Sequence, residues 1–289
     1  MKHKQVYITQ DRISEYALYL KNEERAEGTV KKYIRDVKAF ANFLNGGLIT
    51  KEAALTWKVE LKETHAVTSV NSMLAAVNGF FAFCKVHIRL KPYKIQRQMF
   101  LSYKKDLSKE EYERLLQTAN SSKNEQLFYI IQTLCATGIR VGELQFITVE
   151  SLQEGQAVVM NKAKTRTVFL PGDLQKSLVQ YIKRRNIAAG HIFATKQGKP
   201  LNRSNVWANM KKLCTAAKVD PAKVFPHNLR SLFSRIFYNR NKDLAKLADI
   251  LGHSNLNTTR VYIMESGAKH RRIIEDLGLT QLKYTKDSE

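Results

Sequence analysis

The chain is short of what several protein classes require. Its 289 residues include three cysteines, Cys84, Cys135 and Cys214. They are odd in number and widely spaced, and none has a second cysteine nearby. That excludes a disulfide framework and a cysteine-based zinc site, and it fits a reducing, cytoplasmic setting. No run of about 18 apolar residues occurs, so no membrane span is expected. The opening Met1-Lys2-His3-Lys4-Gln5 leads into no apolar signal core, so secretion is not expected either. There is no H-E-x-x-H, no C-x-x-C and no EF-hand loop, hence no expected metal. A Walker A loop is also missing, so no cofactor of the ATP kind is expected. Acidic residues are scarce: 26 Asp and Glu stand against 48 Lys and Arg, a net charge of +22. They form no obvious cluster in the second half, which gives two-metal phosphoryl chemistry little support. A surplus this large points to a polyanionic partner, nucleic acid before an anionic membrane surface.

What is present is ordinary core material. Apolar residues make up 44 % of the chain, enough for one large domain or two medium ones. Residues 1–106 carry 19 basic and 10 acidic side chains, and residues 107–289 carry 29 and 16. Both halves are therefore basic, as two jaws meeting one polyanion would be.

The first half reads as helical. Ile13, Tyr16, Ala17 and Leu20 recur at helix spacing after Thr9 or Asp11. Thr29 is placed to cap a second helix whose inner stripe runs from Val30 to Leu44, with Asn45-Gly46-Gly47 as its stop. The outer face of that helix carries Lys31, Lys32, Arg35 and Lys38, a face suited to DNA phosphates. A third helix is predicted from about Thr68 to Val86. We place a helical domain at 1–93, a basic linker at 94–106 and a second domain at 107–289. The second domain opens on a capping-box pattern, Ser108-Lys109-Glu110-Glu111. Most of it reads as helix. Its one small sheet is predicted from runs at Ala157–Met160 and Thr167–Leu170, with residues 161–166 as a basic hairpin tip.

Four segments hold the parts for chemistry on a phosphate: charge to neutralise, a nucleophile and proton-transfer groups. In Ala136-Thr137-Gly138-Ile139-Arg140-Val141-Gly142-Glu143, the glycine ends a helix and Glu143 lies one turn from Arg140. A carboxylate at that spacing orients a guanidinium. The hairpin tip offers Lys162 and Lys164, able to reach a groove or protonate a leaving oxygen, and Arg166 adds a further contact to DNA. Pro226-His227-Asn228-Leu229-Arg230 puts a proton carrier and a phosphate fork on one helix face. In Leu251-Gly252-His253, the histidine follows a glycine stop, and Tyr262 lies in a new short helix beyond it. Taken singly, each segment is also an ordinary ion pair, turn or buried tyrosine.

In this order the segments resemble the tyrosine recombinases, or phage integrases, and the resemblance covers nearly the whole chain. Residues 136–144 and 251–262 look like the family's most recognisable boxes, and the size is that of simple Xer-like members. Two departures stand out. Ser231 follows the box arginine where the family often has a second histidine. The hairpin also looks one residue short, which leaves Lys162 or Lys164 as the catalytic lysine. The resemblance implies a helical, SAM-like core-binding domain followed by an α/β catalytic domain, mainly α with a small β-sheet. It implies strand cleavage by Tyr262 through a 3′-phosphotyrosyl link, without metal, ATP or other cofactor. Arg140 and Arg230 would neutralise the phosphate, Lys162 protonate the leaving oxygen, His227 act as base, His253 contact the phosphate and Glu143 hold Arg140. The implied partners are double-stranded DNA, further copies of the chain in a tetramer on DNA, and accessory DNA-bending or directionality factors, with no membrane. The gene would sit on a mobile element or a chromosome. A type IB topoisomerase or a non-catalytic DNA-binding protein would carry some of the same features.

Overall fold

A computed structural model describes residues 6–95, 106–122, 124–161, 164–195, 197–263 and 275–279. The chain divides into two compact units, Met1–Arg97 and Gln98–Glu289. Most of the linker expected at 94–106 lies outside the described residues.

The first unit is helical. Helix α1 (Gln10–Asn22) is capped by the Thr9 hydroxyl, which accepts the Arg12 N–H at 3.3 Å. Helix α2 (Glu27–Leu44) starts earlier than the sequence suggests. Thr29 sits inside its first turn, giving its N–H to the Ala26 carbonyl at 2.8 Å, and so caps nothing. Asn45 ends it in the left-handed conformation. Helix α3 (Lys51–Thr64) has no counterpart in the sequence reading. It buries only Ala54, Trp57 and Leu61 among charged neighbours, too thin a stripe to stand out. Helix α4 (Val67–Phe83) packs along α2. Val37, Phe40, Val70, Val77, Phe80 and Phe81 are wholly buried between them. Beyond α4 the chain runs extended and is tied to the helix by two side-chain amides. Asn78 accepts the Leu90 N–H at 2.8 Å and donates to its carbonyl at 2.9 Å. Asn71 does the same with Tyr93, at 2.8 and 2.9 Å.

The second unit is mainly α with a small sheet, the fold class expected. Helix α5 (Lys109–Asn120) shows the full Ser108–Glu111 capping box. Helix α6 (Glu125–Thr137) buries Leu127, Ile130, Ile131 and Leu134 and packs on the longest later helix. A 3-10 turn (Val141–Phe146) and helix α7 (Val149–Gln153) lead to strands β1 (Gln156–Asn161) and β2 (Lys164–Phe169). These pair antiparallel from Gln156↔Phe169 to Asn161↔Lys164. The tip is thus two residues rather than the six expected, and Lys164 and Arg166 belong to a strand. Helices α8 (Gly172–Arg184), α9 (Arg203–Lys212), α10 (Cys214–Ala217) and α11 (Pro226–Asn241) follow. Helices α12 (Leu244–Leu251) and α13 (Leu256–Ile263) come next. All three cysteines are free. No described helix is long and apolar enough to cross a membrane.

Candidate active site

The site grows from three chain reversals in the second unit. The first ends α6. Gly138 turns at φ +65°, and a Cβ there would lie 2.5 Å from the Phe233 ring, so only glycine fits. The turn brings Arg140 beside Glu143. The Glu143 carboxylate accepts the Arg140 backbone N–H at 2.8 Å and its guanidinium at 3.1 Å. Glu143 is 3 % exposed. Burial by itself would raise its pKa, but the hydrogen bonds from Arg166 and Arg140 outweigh it and hold the group at about 2.

Those bonds revise one expectation. Arg166 does not face outward from a hairpin tip toward DNA. Its side chain is 12 % exposed and makes a two-pronged pair with Glu143, at 2.9 and 2.7 Å. Its Nε donates to the Ile250 carbonyl at 3.3 Å. The physical reason is strand register: Arg166, Val168 and Leu170 alternate on one face, and Val168 and Leu170 are buried.

The second reversal starts α11, with Pro226 at its first turn. Arg230, one turn in, is 1 % exposed. It donates to the carbonyls of Gly138 at 2.5 Å and Leu251 at 2.8 Å, and to His253 Nε2 at 2.9 Å. Its Nε is buried with no partner among the described residues. Burial and the nearby Arg140 lower its pKa to about 10, against a favourable pull from Tyr262, so it stays charged at neutral pH.

The third reversal is Gly252, at φ +67°, which ends α12 and sends His253 back toward Arg230. Burial, then Arg230, Arg140 and Arg166, bring His253 down to about 4, so it is neutral at pH 7. An arginine only donates, so Nε2 must be the acceptor and Nδ1 carries the proton. Nδ1 then donates to the Thr259 hydroxyl at 2.8 Å, within buried α13 backbone. Burial first, then Arg230, Arg140 and Arg203, also hold His227 below the ordinary histidine value.

Helix α13 delivers Tyr262, which is 8 % exposed and packs on Leu247 and Leu251. Its ring lies between the two imidazoles, 5.4 Å from the centroid of His227 and 5.9 Å from that of His253. A cavity of about 310 Å³ opens beside them, lined by Arg140, Arg203, Trp207, His227 and Arg230 among others. Arg140, Glu143, His227, Arg230, His253 and Tyr262 therefore converge. Arg203 and Trp207 were not singled out from sequence. Their signal is the i, i+4 spacing just after the Asn202 cap of α9, which puts both on one helix face. Lys162 lies outside the described residues, as does the side chain of Lys164, whose backbone pairs with Asn161 at the start of β2.

The basic face of α2 belongs to the first unit. Lys31 pairs with Glu27 at 2.6 Å, and both are exposed. Asp36, 1 % exposed, binds Lys32 at 2.9 Å and Arg35 at 2.8 Å. Lys32 also donates to Ser72 at 2.6 Å. Lys38 is exposed.

Residues 105–268 match the model of the phage integrase family, and residues 13–86 match that of the phage integrase N-terminal SAM-like domain. The chain belongs to the phage integrase family. Among similar proteins is the tyrosine recombinase XerA of Pyrococcus horikoshii, 25 % identical across 97 % of this chain and 98 % of the relative. Two solved structures share the integrase fold. One is a lambda integrase dimer bound to a COC′ core site, with TM-score 0.71 and 18 % identity over 98 % of this chain and 81 % of that one. The other is a lambda integrase tetramer on a Holliday junction, with TM-score 0.70 and 19 % identity over 90 % of this chain and 78 % of that one. The two-part integrase architecture agrees with the resemblance read from the sequence.

Proposed function

We propose that this chain is a site-specific DNA recombinase that cuts and rejoins strands through a covalent link at Tyr262. The observation that carries the reading is the convergence on one phenol ring of two neutral imidazoles and a buried, charged guanidinium. No purely structural tyrosine needs that company.

In the cleavage step, the Tyr262 oxygen attacks the scissile phosphorus while the bond to the 5′-oxygen breaks. The phenol proton passes to His227, which is neutral and able to take it. The leaving 5′-oxygen takes a proton from Lys162, or from Lys164 one strand position beyond the tip. Extra negative charge builds on the non-bridging oxygens. Arg140 and Arg230 both line the cavity and can donate to those oxygens. Loss of one such donor costs about 3 kcal/mol of transition-state stabilisation. Glu143 aims Arg140 and touches no substrate. The 5′-hydroxyl of a partner strand then attacks the phosphotyrosine and releases Tyr262. One phosphodiester is exchanged for another, so the cycle consumes no ATP.

The partner is double-stranded DNA, with Lys31, Lys32, Arg35 and Lys38 of the first unit on its phosphates. Strand exchange between two duplexes requires four active tyrosines, hence a homotetramer on DNA, acting in the cytoplasm. The domains are read as 1–93 for core binding and 107–289 for catalysis, joined by a linker at 94–106.

A covalent trap tests this. Wild type and Tyr262→Phe are mixed with labelled DNA from around the gene's own locus, with EDTA present, then denatured in SDS. Label that travels with wild-type protein alone and is released by protease is the expected result, and its end maps the site. An adduct that persists in the Phe variant means another nucleophile. Binding without any adduct means a protein that only binds.

A further inference from the structure

Arg166 has no role in the chemistry just described, yet it touches two of the turns that frame it. Each oxygen of Glu143 is shared. Oε1 accepts from the guanidinium of Arg140 at 3.1 Å and from Arg166 at 2.9 Å. Oε2 accepts the Arg140 backbone N–H at 2.8 Å and Arg166 at 2.7 Å. The carboxylate is thereby held in a fixed plane, with Arg140 on one side and Arg166 on the other. The third donor of Arg166 reaches the Ile250 carbonyl, in the last turn of α12. Its Cδ lies 2.6 Å from where a Cβ on Gly252 would be. Gly252 is the residue that turns the chain to His253. One side chain on β2 therefore joins the Arg140 turn to the His253 turn.

We propose that Arg166 is a positioning residue of the cleavage reaction, fixing the Glu143 carboxylate that aims Arg140 and the turn that carries His253. This rests on the recombinase reading above. A buried ion pair is weak evidence of a stabilising purpose, since desolvation offsets most of its attraction. Its rigidity is another matter. The planar fork meets both carboxylate oxygens at once and prevents the carboxylate from rotating. Arg140, whose side chain is 38 % exposed, owes its direction to that one fixed anchor. Neither ammonium nor an apolar chain at position 166 reproduces two parallel bonds and a third to a carbonyl.

The test separates positioning from mere support of the fold. DNA carrying the mapped cleavage site is made in two forms, one with the natural scissile phosphate and one with a methylphosphonate there. The methyl group removes the negative charge that Arg140 neutralises, so a misaimed Arg140 matters less on the second form. Single-turnover adduct formation is measured for wild type, Arg166→Met and Arg166→Lys. We expect Arg166→Met to bind DNA as wild type does and to slow cleavage of the phosphate by about 100-fold. On the methylphosphonate the slowing shrinks to roughly a tenth of that, and Arg166→Lys falls between. The ratio of the two rates does not depend on the fraction of folded protein. If Arg166→Met fails to fold, the ratio for Arg166→Lys decides. Equal slowing on both substrates, or no slowing, overturns the proposal and leaves the recombinase reading standing. A wild type that forms no adduct overturns both.

Discussion

Arg230 and His253, 23 residues apart in sequence, meet through a single hydrogen bond of 2.9 Å in which the imidazole Nε2 accepts. The bond fixes the tautomer of His253 and forces its Nδ1 proton onto Thr259.

The lowered histidines give a pH signature in stability. His253 takes up a proton near pH 4 when folded and near 6.5 when unfolded. Between those values the unfolded chain binds more protons, so stability rises with pH. His227 acts in the same direction. Glu143, held at about 2, contributes its own loss only below pH 4.5. The interval from 4.5 to 6.5 therefore isolates the imidazoles. Denaturant melts across it are expected to show stability falling as pH drops, with a shallower slope for His253→Gln. An unchanged slope would contradict the burial assigned to this ring.

The two arginines should part company when truncated. Arg230→Met strips donors from the buried carbonyls of Gly138 and Leu251, and is expected to cost about 2–4 kcal/mol. Arg140→Met leaves Glu143 its fork from Arg166 and should cost less than about 1 kcal/mol, since Arg140 is well exposed. Thermal melts of the two proteins make the comparison, and both should slow adduct formation by about 100-fold or more.

Gly138→Ala is expected to destabilise the second unit by about 2 kcal/mol or more, because the new methyl meets the Phe233 ring and the backbone stays left-handed. Calorimetry reads the loss. Near-wild-type stability would mean that the α6 turn tolerates another conformation.

The basic face of α2 can be read through salt. Arg35→Gln and Lys38→Gln should each reduce the slope of log K against log salt by up to about 0.9 if the side chain meets a phosphate. Lys32→Gln should change it less, because Lys32 is half-buried against Asp36 and Ser72, whereas Arg35, though also paired with Asp36, keeps 71 % of its side chain exposed. Equal slopes for all three variants would remove α2 from the DNA interface.

The parts of this fold legible in the sequence are those with punctuation. Ser108 with Glu111, and the glycines at 138 and 252, mark their boundaries by local chemistry alone. Helix α3 lacked such marks beyond Thr50 and a thin apolar stripe. Arg166 was misread because the strand was started three residues too late, at Thr167 rather than Lys164. Extended back to Lys164, the alternation that buries Val168 and Leu170 turns Arg166 inward as well. Its partner Glu143 lies 23 residues away, a distance that no local pattern reports.

Arg230 is a core residue by burial and, in the function proposed, a phosphate-binding one. Its partners at Gly138, Leu251 and His253 come from segments 92, 21 and 23 residues distant, so its surroundings exist only in the folded chain. A complete but partly unfolded chain therefore has a tyrosine but no assembled guanidinium beside it. In the function proposed, cutting therefore waits until α12 and α13 have docked, and the interlock is built from ordinary packing.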